Sequence, residues 1–160
     1  MKSKIFLHGL VTAGALLLTG CNYDVPLTAK PTRQIAPRVL GDWIAKDGNK
    51  EMHLSVRKLD EFTYIVALDG DLYQAFHSDF ADTPFVSVQN LQPGADNRKY
   101  IYYAWEVSAD GEQLSLKGVS TELVPANTKG RAALQKLIKQ YIDNPKLFGE
   151  ESLFTRKKPR

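Results

Sequence analysis

The sequence has little cysteine and little histidine: one cysteine, Cys21, and three histidines, His8, His53 and His77. With a single cysteine no intrachain disulfide can form, so stability must come from packing even in an oxidising compartment. His8 lies in an N-terminal segment that we expect to be cleaved. The residues left are too few for the roughly four ligands of a Cys/His zinc site.

Catalytic motifs are missing as well. The chain contains no Gly-x-Ser-x-Gly nucleophile elbow and no glycine-rich phosphate loop. Its longest apolar stretch falls short of the ~20 residues that span a bilayer. We therefore expect no catalytic residues, no cofactor and no enzymatic activity.

The main part of the chain is not basic either. The formal net charge is +3, but Lys2 and Lys4 stand at the N terminus and the segment 156–160 carries four more positive charges. The rest of the chain is slightly acidic, which argues against nucleic acid as a partner. The basic tail (158–160) is interpreted either as solvated or as touching anionic lipid headgroups.

The N terminus has a distinctive order of residues. Two lysines are followed by the apolar stretches 5–7 and 11–18 and then by Leu18-Thr19-Gly20-Cys21. Charged, apolar and small residues in this order predict a secretory signal over 1–20. The last four residues resemble the lipobox of bacterial lipoproteins. This resemblance implies cleavage before Cys21 and attachment of diacylglycerol to its thiol. Asn22, in place of the inner-membrane retention aspartate, implies an outer-membrane anchor facing the periplasm.

Residues 21–38 are predicted to be the lipidated cysteine and an extended tether. Three prolines and no hydrophobic periodicity are typical of a spacer. A second interpretation stays open, in which part of the segment docks on the domain through its apolar residues. These are Tyr23, Val25, Leu27 and Ile35.

Residues 39–157 are predicted to form one domain, mainly β. Apolar and polar residues alternate, with turn signals every eight to twelve positions, as in antiparallel sandwiches and barrels. The predicted strands are 39–45, 52–57, 62–68, 71–78, 85–90, 100–107, 112–119 and 152–157. Leu134, Leu137, Ile138, Tyr141 and Ile142 share one face of a helix. Thr128 is its predicted N-cap, and Asn144-Pro145 its end.

Two ends of this domain carry a family resemblance. Gly41-Asp42-Trp43 opens the first strand and Arg156 lies on the last, a combination similar to lipocalins. The resemblance implies an up-and-down barrel or half-barrel of about eight strands, with one amphipathic helix before the last strand. It also implies that Arg156 packs over Trp43, a cation–π contact that joins first and last strands. The alternative is that Trp43 is ordinary core and Arg156 part of a basic tail.

Aromatic residues mark the candidate site. Tyr100 and Tyr102 occupy a strand face that should be polar if it were exposed, and tyrosine suits a cavity mouth or an interface. We therefore predict a ligand pocket or partner groove lined by Tyr73, His77, Tyr100 and Tyr102. The alternative is that the helix packs over one of these faces and buries it.

Acidic residues near His77 offer a weaker candidate. Asp69, Asp71 and Asp79 with His77 could in principle hold a divalent ion. Asp69 and Asp71 are explained equally well as residues of a hairpin turn around Gly70. We therefore expect no metal.

Two functions remain open. The first is a lipid-anchored periplasmic module that binds a small amphipathic or apolar molecule, which requires an apolar cavity of about 300 Å³ or more. The second is an envelope adaptor that docks on another protein through an exposed sheet face. An adaptor requires a filled interior and an exposed aromatic patch.

Overall fold

The computed structural model describes residues 23–94 and 98–158 of the chain. The predicted signal (1–20) and Cys21 lie outside the described residues, as does most of the basic tail. A short 3₁₀ helix, Pro37–Val39, precedes the first strand. The elements are β1 (Gly41–Asp47), β2 (Lys50–Lys58), β3 (Thr63–Leu68), β4 (Asp71–His77), β5 (Val86–Asn90), β6 (Tyr100–Val107), β7 (Gln113–Val119), α1 (Arg131–Gln140) and β8 (Phe148–Arg156).

The eight strands form a closed antiparallel barrel in chain order. Each strand pairs with the next, and β1 pairs with β8 through Trp43 opposite Arg156 and Ile44 opposite Thr155. The predicted fold is thus confirmed, and the barrel is closed rather than half-open. Closure gives every strand two hydrogen-bonded neighbours, so these strands leave no edge for aggregation.

The barrel has two distinct ends. At the hairpin end lie the β1–β2 and β3–β4 turns, the β5–β6 loop and the β7–β8 connection that contains α1. At the floor end lie the other three connections and the 3₁₀ helix. Asp69 and Gly70 both have positive φ, 48° and 99°, which agrees with the two-residue turn predicted between β3 and β4.

The residues before the barrel form a strap, residues 23–40, that runs along its outer surface and ends across its floor, where Val39 joins the barrel core. Tyr23 bonds Tyr100 through both backbone groups at the hairpin end, and Ile35 donates its N–H to the Glu61 carbonyl at the floor end. Tyr23 and Leu27 are fully buried. The spacer predicted for residues 21–38 is therefore corrected for residues 23–38. The second interpretation applies there, since the scattered apolar side chains pack on the domain.

A second core lies outside the barrel, beneath the strap and α1. Leu134 and Ile138 of α1 are buried and pack with Leu27 and Tyr102. The predicted helix is present but shorter than its apolar pattern suggested. Its N-cap is Gly130, while the Thr128 hydroxyl donates to the Pro125 carbonyl instead.

Two boundaries differ from the predicted ones. The first strand begins at Gly41, because the Pro37–Val39 turn takes up residue 39. The last begins at Phe148 rather than at residue 152, because Phe148 extends the pairing with β7 across an irregularity at Lys117–Val119.

None of the helices in residues 23–94 and 98–158 is both long and apolar enough to cross a membrane.

Candidate functional site

The floor of the barrel is closed by Trp43 and Arg156. The Arg156 guanidinium carbon lies 4.0 Å from the centre of the indole ring, which is almost fully buried. Its nitrogens donate to three backbone carbonyls, those of Arg38, Leu40 and Gly111, at 2.7–2.9 Å. The contact implied by the lipocalin resemblance is therefore present, and Arg156 is not simply part of a solvated tail.

Gly41 makes this closure sterically feasible. A Cβ atom at this position would lie 2.5 Å from Nη1 of Arg156, and the backbone φ is +145°. Both facts exclude a larger residue without movement, because real Cβ atoms do not approach so closely and L residues avoid this conformation. The spacing Gly-x-Trp thus reflects a packing requirement at the floor.

The interior of the barrel is filled at the floor end and hollow towards the hairpin end. Trp43, Val56, Tyr64 and Leu114 pack the floor half and line no part of the hollow. The hollow is surrounded almost entirely by apolar side chains on the inward faces of seven strands. They are Met52, Leu54, Val66, Leu68, Tyr73, Val88, Ile101, Tyr103, Trp105, Leu116, Ser152 and Phe154.

This cavity is narrow. Its volume is about 50 Å³, against roughly 300–1,000 Å³ for pockets that enclose a drug-sized ligand. Met52 and Leu68, beside the hairpin turns, are only partly buried although they point into the barrel. Because inward-facing side chains are shielded by the wall, their exposure indicates that the cavity opens at the hairpin end.

Trp105 contributes an unused hydrogen-bond donor to the cavity wall. Its Nε1 is buried and has no partner among the residues that the structure describes. A buried donor of this kind costs about 1–3 kcal/mol unless water or a ligand satisfies it. The indole also packs at 5.7 Å from the Tyr64 ring, which ties the cavity wall to the floor.

The structure does not bring the four predicted site residues together. Tyr73 lines the cavity, and His77 lies further down the same inward face of β4, near the floor. Tyr100 and Tyr102 lie on the outer face of β6, because Ile101 between them faces inward opposite Val88. The single pocket predicted from these residues is therefore corrected to two separate environments.

Of the outer pair, Tyr102 is fully covered and Tyr100 is partly buried. The Tyr102 ring stacks on Tyr23 of the strap at 4.6 Å and 7°, and its hydroxyl donates to the Val25 carbonyl at 2.5 Å. Burial raises the pKa of Tyr102 far above its usual value, so the hydroxyl stays protonated. This agrees with the alternative in which such a face is packed over, although the strap covers it together with α1.

His77 belongs to a buried polar contact beneath the cavity. Its Nε2 lies 2.8 Å from the Tyr64 hydroxyl, which also accepts the Ala36 N–H of the strap at 2.6 Å. Burial lowers the pKa of His77 to about 4; the nearby Arg33 lowers it further and Asp79 opposes the shift. His77 is therefore neutral at physiological pH, and its contacts hold the strap on the floor end.

The acidic residues considered for a metal are spread over both ends. Asp69 lies in the β3–β4 turn and accepts the His53 N–H, whereas Asp79 lies near the floor and pairs with Arg33 at 3.1 Å. Residues 23–94 and 98–158 contain no group of three or more His, Cys, Asp or Glu side chains placed to hold a metal ion.

Sequence reasoning missed the residues that surround the cavity, above all Met52, Leu68, Trp105 and Leu116. Their signal was present in the alternation: each lies on the apolar face of its strand.

Comparison of the chain with protein-family models, with curated proteins and with solved structures found no match. The site must therefore be interpreted from its own geometry.

Proposed function

We propose that the protein is a binding module that holds one aliphatic chain of an amphipathic molecule in the hairpin half of its barrel. The observation that carries the proposal is the contrast between the two halves. The floor half is packed, whereas the hairpin half keeps an apolar hollow lined by residues such as Met52, Leu68 and Tyr73. A barrel with no role for its interior would gain stability by filling it.

The size of the cavity defines the ligand. A volume of about 50 Å³ does not meet the 300 Å³ expected of an ordinary binding module, so fused rings are excluded and a single methylene chain is favoured. Burying about three methylene groups, which is what this volume admits, contributes about 2.4 kcal/mol and corresponds to a dissociation constant in the millimolar range, about 20 mM. The chain alone therefore binds weakly.

The adaptor hypothesis has less support. It requires an exposed aromatic patch, and on the tyrosine-rich face of β6 Tyr102 is fully buried under the strap and Tyr100 is partly buried. Among the described residues, the exposed large apolar side chains are distributed over both ends and the wall of the barrel. They are Leu59, Phe62, Leu72 and Leu153.

We propose further that the module is attached to the bacterial outer membrane through lipid on Cys21, facing the periplasm. The support is the order of residues before Cys21. Metabolic labelling with radioactive palmitate tests this part. Cys21→Ser should lose the label, and a variant that stays as radioactive as the wild type would contradict lipidation of this thiol.

Ligand binding is tested on Cys21→Ser protein by titration with decanoate, followed through tryptophan emission. Leu68→Phe fills the cavity and should weaken binding about tenfold, or 1.4 kcal/mol. Leu72→Phe is the matched control, because Leu72 lies four positions away on the same hairpin and is 46% exposed on the outside. Equal binding by both variants, or none by the parent protein, would refute the proposal.

A further inference from the structure

The strap determines where a lipid anchor leaves the domain. Its first described residue, Tyr23, lies at the hairpin end, where it exchanges two backbone hydrogen bonds of 2.8 Å with Tyr100, the first residue of β6. From there the strap runs towards the floor. The chain therefore reaches the barrel at the same end at which the cavity opens.

This end of the strap is held firmly. The Tyr23 hydroxyl donates to the Val124 carbonyl at 2.6 Å, and its ring stacks on Tyr102. Asp24 pairs with both Lys99 and Lys129, which lowers the pKa of its carboxyl to about 2. A segment bound by its backbone, its ring and an adjacent ion pair cannot swing around the barrel without breaking all three.

Covalent geometry then limits the distance to the anchor. Two residues of fully extended chain span at most about 7 Å, so the Cα atom of Cys21 must lie within that distance of the Tyr23 Cα atom. The eight residues of β6 extend about 20–25 Å along the tilted barrel wall. An anchor on Cys21 is therefore much closer to the hairpin end than to the floor.

From these relations we infer that the mouth of the cavity faces the membrane in which the chain is anchored, and that its occupant is an acyl chain of a lipid in that membrane. This inference rests on the proposed function and on lipidation of Cys21. Leu72, 46% exposed beside the β5–β6 loop, places an apolar side chain on the same end.

A membrane supplies acyl chains at a concentration high enough to occupy a site of this weak affinity. A narrow cavity that binds an aliphatic chain with millimolar affinity stays empty at the low concentrations of free lipid in water. The chain between Tyr23 and the lipidated Cys21 spans at most about 7 Å. It therefore holds the mouth of the cavity against a surface where acyl chains are concentrated. Tethering of this kind raises the effective concentration without any new contact.

Orientation is tested with the full lipidated protein in vesicles of phosphatidylethanolamine and phosphatidylglycerol. Because the Cys21 thiol carries lipid, Asn49→Cys in the β1–β2 turn or Ala109→Cys in the β6–β7 turn supplies the single reactive thiol for a spin label. Nickel-chelating lipids should relax the label at residue 49 severalfold more strongly than the one at residue 109. Equal relaxation of the two labels, or stronger relaxation of the label at residue 109, overturns the proposed orientation. In the second case Leu59 and Phe62 at the floor end would face the membrane.

Occupancy is tested with lipids whose acyl chains are brominated, since bromine quenches tryptophan on contact. The chain has two tryptophans, Trp43 and Trp105. We expect quenching in the parent protein that is lost in Trp105→Phe and in Leu68→Phe but kept in Leu72→Phe. Quenching that Leu68→Phe does not change overturns the acyl-chain occupant.

These outcomes separate the inference from the proposed function. If Cys21→Ser protein binds decanoate while the label at residue 109 is nearer to the membrane, the inference is wrong and the proposed function stands. If the label at residue 49 is nearer to the membrane but neither decanoate nor brominated acyl chains bind, the proposed function is wrong. The inferred acyl-chain occupant is then wrong as well.

Discussion

The guanidinium of Arg156 lies 4.0 Å from the centre of the Trp43 ring, and these two residues face each other in the strand pair that closes the barrel. The contact joins the first strand to the last across more than a hundred residues. It also covers the indole, whose Nε1 donates to the Val39 carbonyl at 3.0 Å. One side chain thus completes both the sheet and the floor of the core.

Removing this side chain should destabilise the fold. We expect Arg156→Ala to lower the free energy of unfolding by about 2–4 kcal/mol, because it removes a cation–π contact and charged hydrogen bonds to three carbonyls. Urea unfolding of Cys21→Ser protein measures the loss. Arg57→Ala is the control: Arg57 pairs with Asp42 at 2.7 Å, but both are half-exposed, so the cost should stay below about 1 kcal/mol. Equal losses would contradict the role assigned to Arg156.

Gly41 and Arg156 should be energetically coupled. Gly41→Ala places a Cβ atom 2.5 Å from the guanidinium, whereas Gly48→Ala meets nothing within 4 Å, although both positions have positive φ. We expect Gly48→Ala to cost about 1 kcal/mol and Gly41→Ala clearly more. In an Arg156→Ala background the Gly41→Ala cost should fall by about 1 kcal/mol or more in a double-mutant cycle. Strict additivity would show that the steric contact is relieved without cost.

Tyr102 should behave as a core residue. The side chain is fully buried, so Tyr102→Ala is expected to cost about 3–5 kcal/mol, and Tyr102→Phe about 1–2 kcal/mol through the lost hydrogen bond to Val25. Thermal unfolding compares these variants with Tyr100→Ala, whose side chain is only partly buried. A Tyr102→Ala protein as stable as the parent would return Tyr102 to the list of pocket residues.

The strands could be predicted from sequence because alternation is a local property. Leu54 and Val56 alternate with the polar residues His53, Ser55 and Arg57, and this pattern alone places them on an inward face. The pairing of Trp43 with Arg156 followed from the lipocalin resemblance. Neither inference required knowledge of which residues oppose each other elsewhere in the barrel.

The candidate site could not be predicted in the same way, because it depends on register between strands. Alternation shows that Tyr100 and Tyr102 share a face, but only the pairing of Ala75 with Val88 and of Val88 with Ile101 shows that this face is outward. Docking of the strap stayed only one of two interpretations for a related reason: Tyr23 and Leu27 have no periodicity. They are buried because the β6 face and α1 leave a groove that only the folded structure forms.

His77 should make the protein less stable in mild acid. Its pKa is lowered to about 4 in the folded state by burial, from 6.5 when the chain is unfolded. Between these values the unfolded state binds more protons, so the free energy of unfolding falls as pH decreases from about 6.5 to 4. The loss due to His77 approaches about 3 kcal/mol and then levels off, because below pH 4 this side chain is protonated in both states.

Urea unfolding at a series of pH values measures this loss. His77→Gln should be less stable than the parent at pH 7, because the Tyr64 hydroxyl loses an optimal partner, but its stability should change less between pH 6.5 and 4. His53→Gln is the control for replacing an exposed histidine: the His53 side chain is 54% exposed, so its replacement should cost little stability at pH 7. A His77→Gln protein that loses stability with pH as steeply as the parent would assign the acid sensitivity to other groups. Thr32 donates its N–H to the His77 carbonyl, so the protection of the strap amides from hydrogen exchange, measured relative to the intrinsic rate at each pH, should also fall as His77 is protonated.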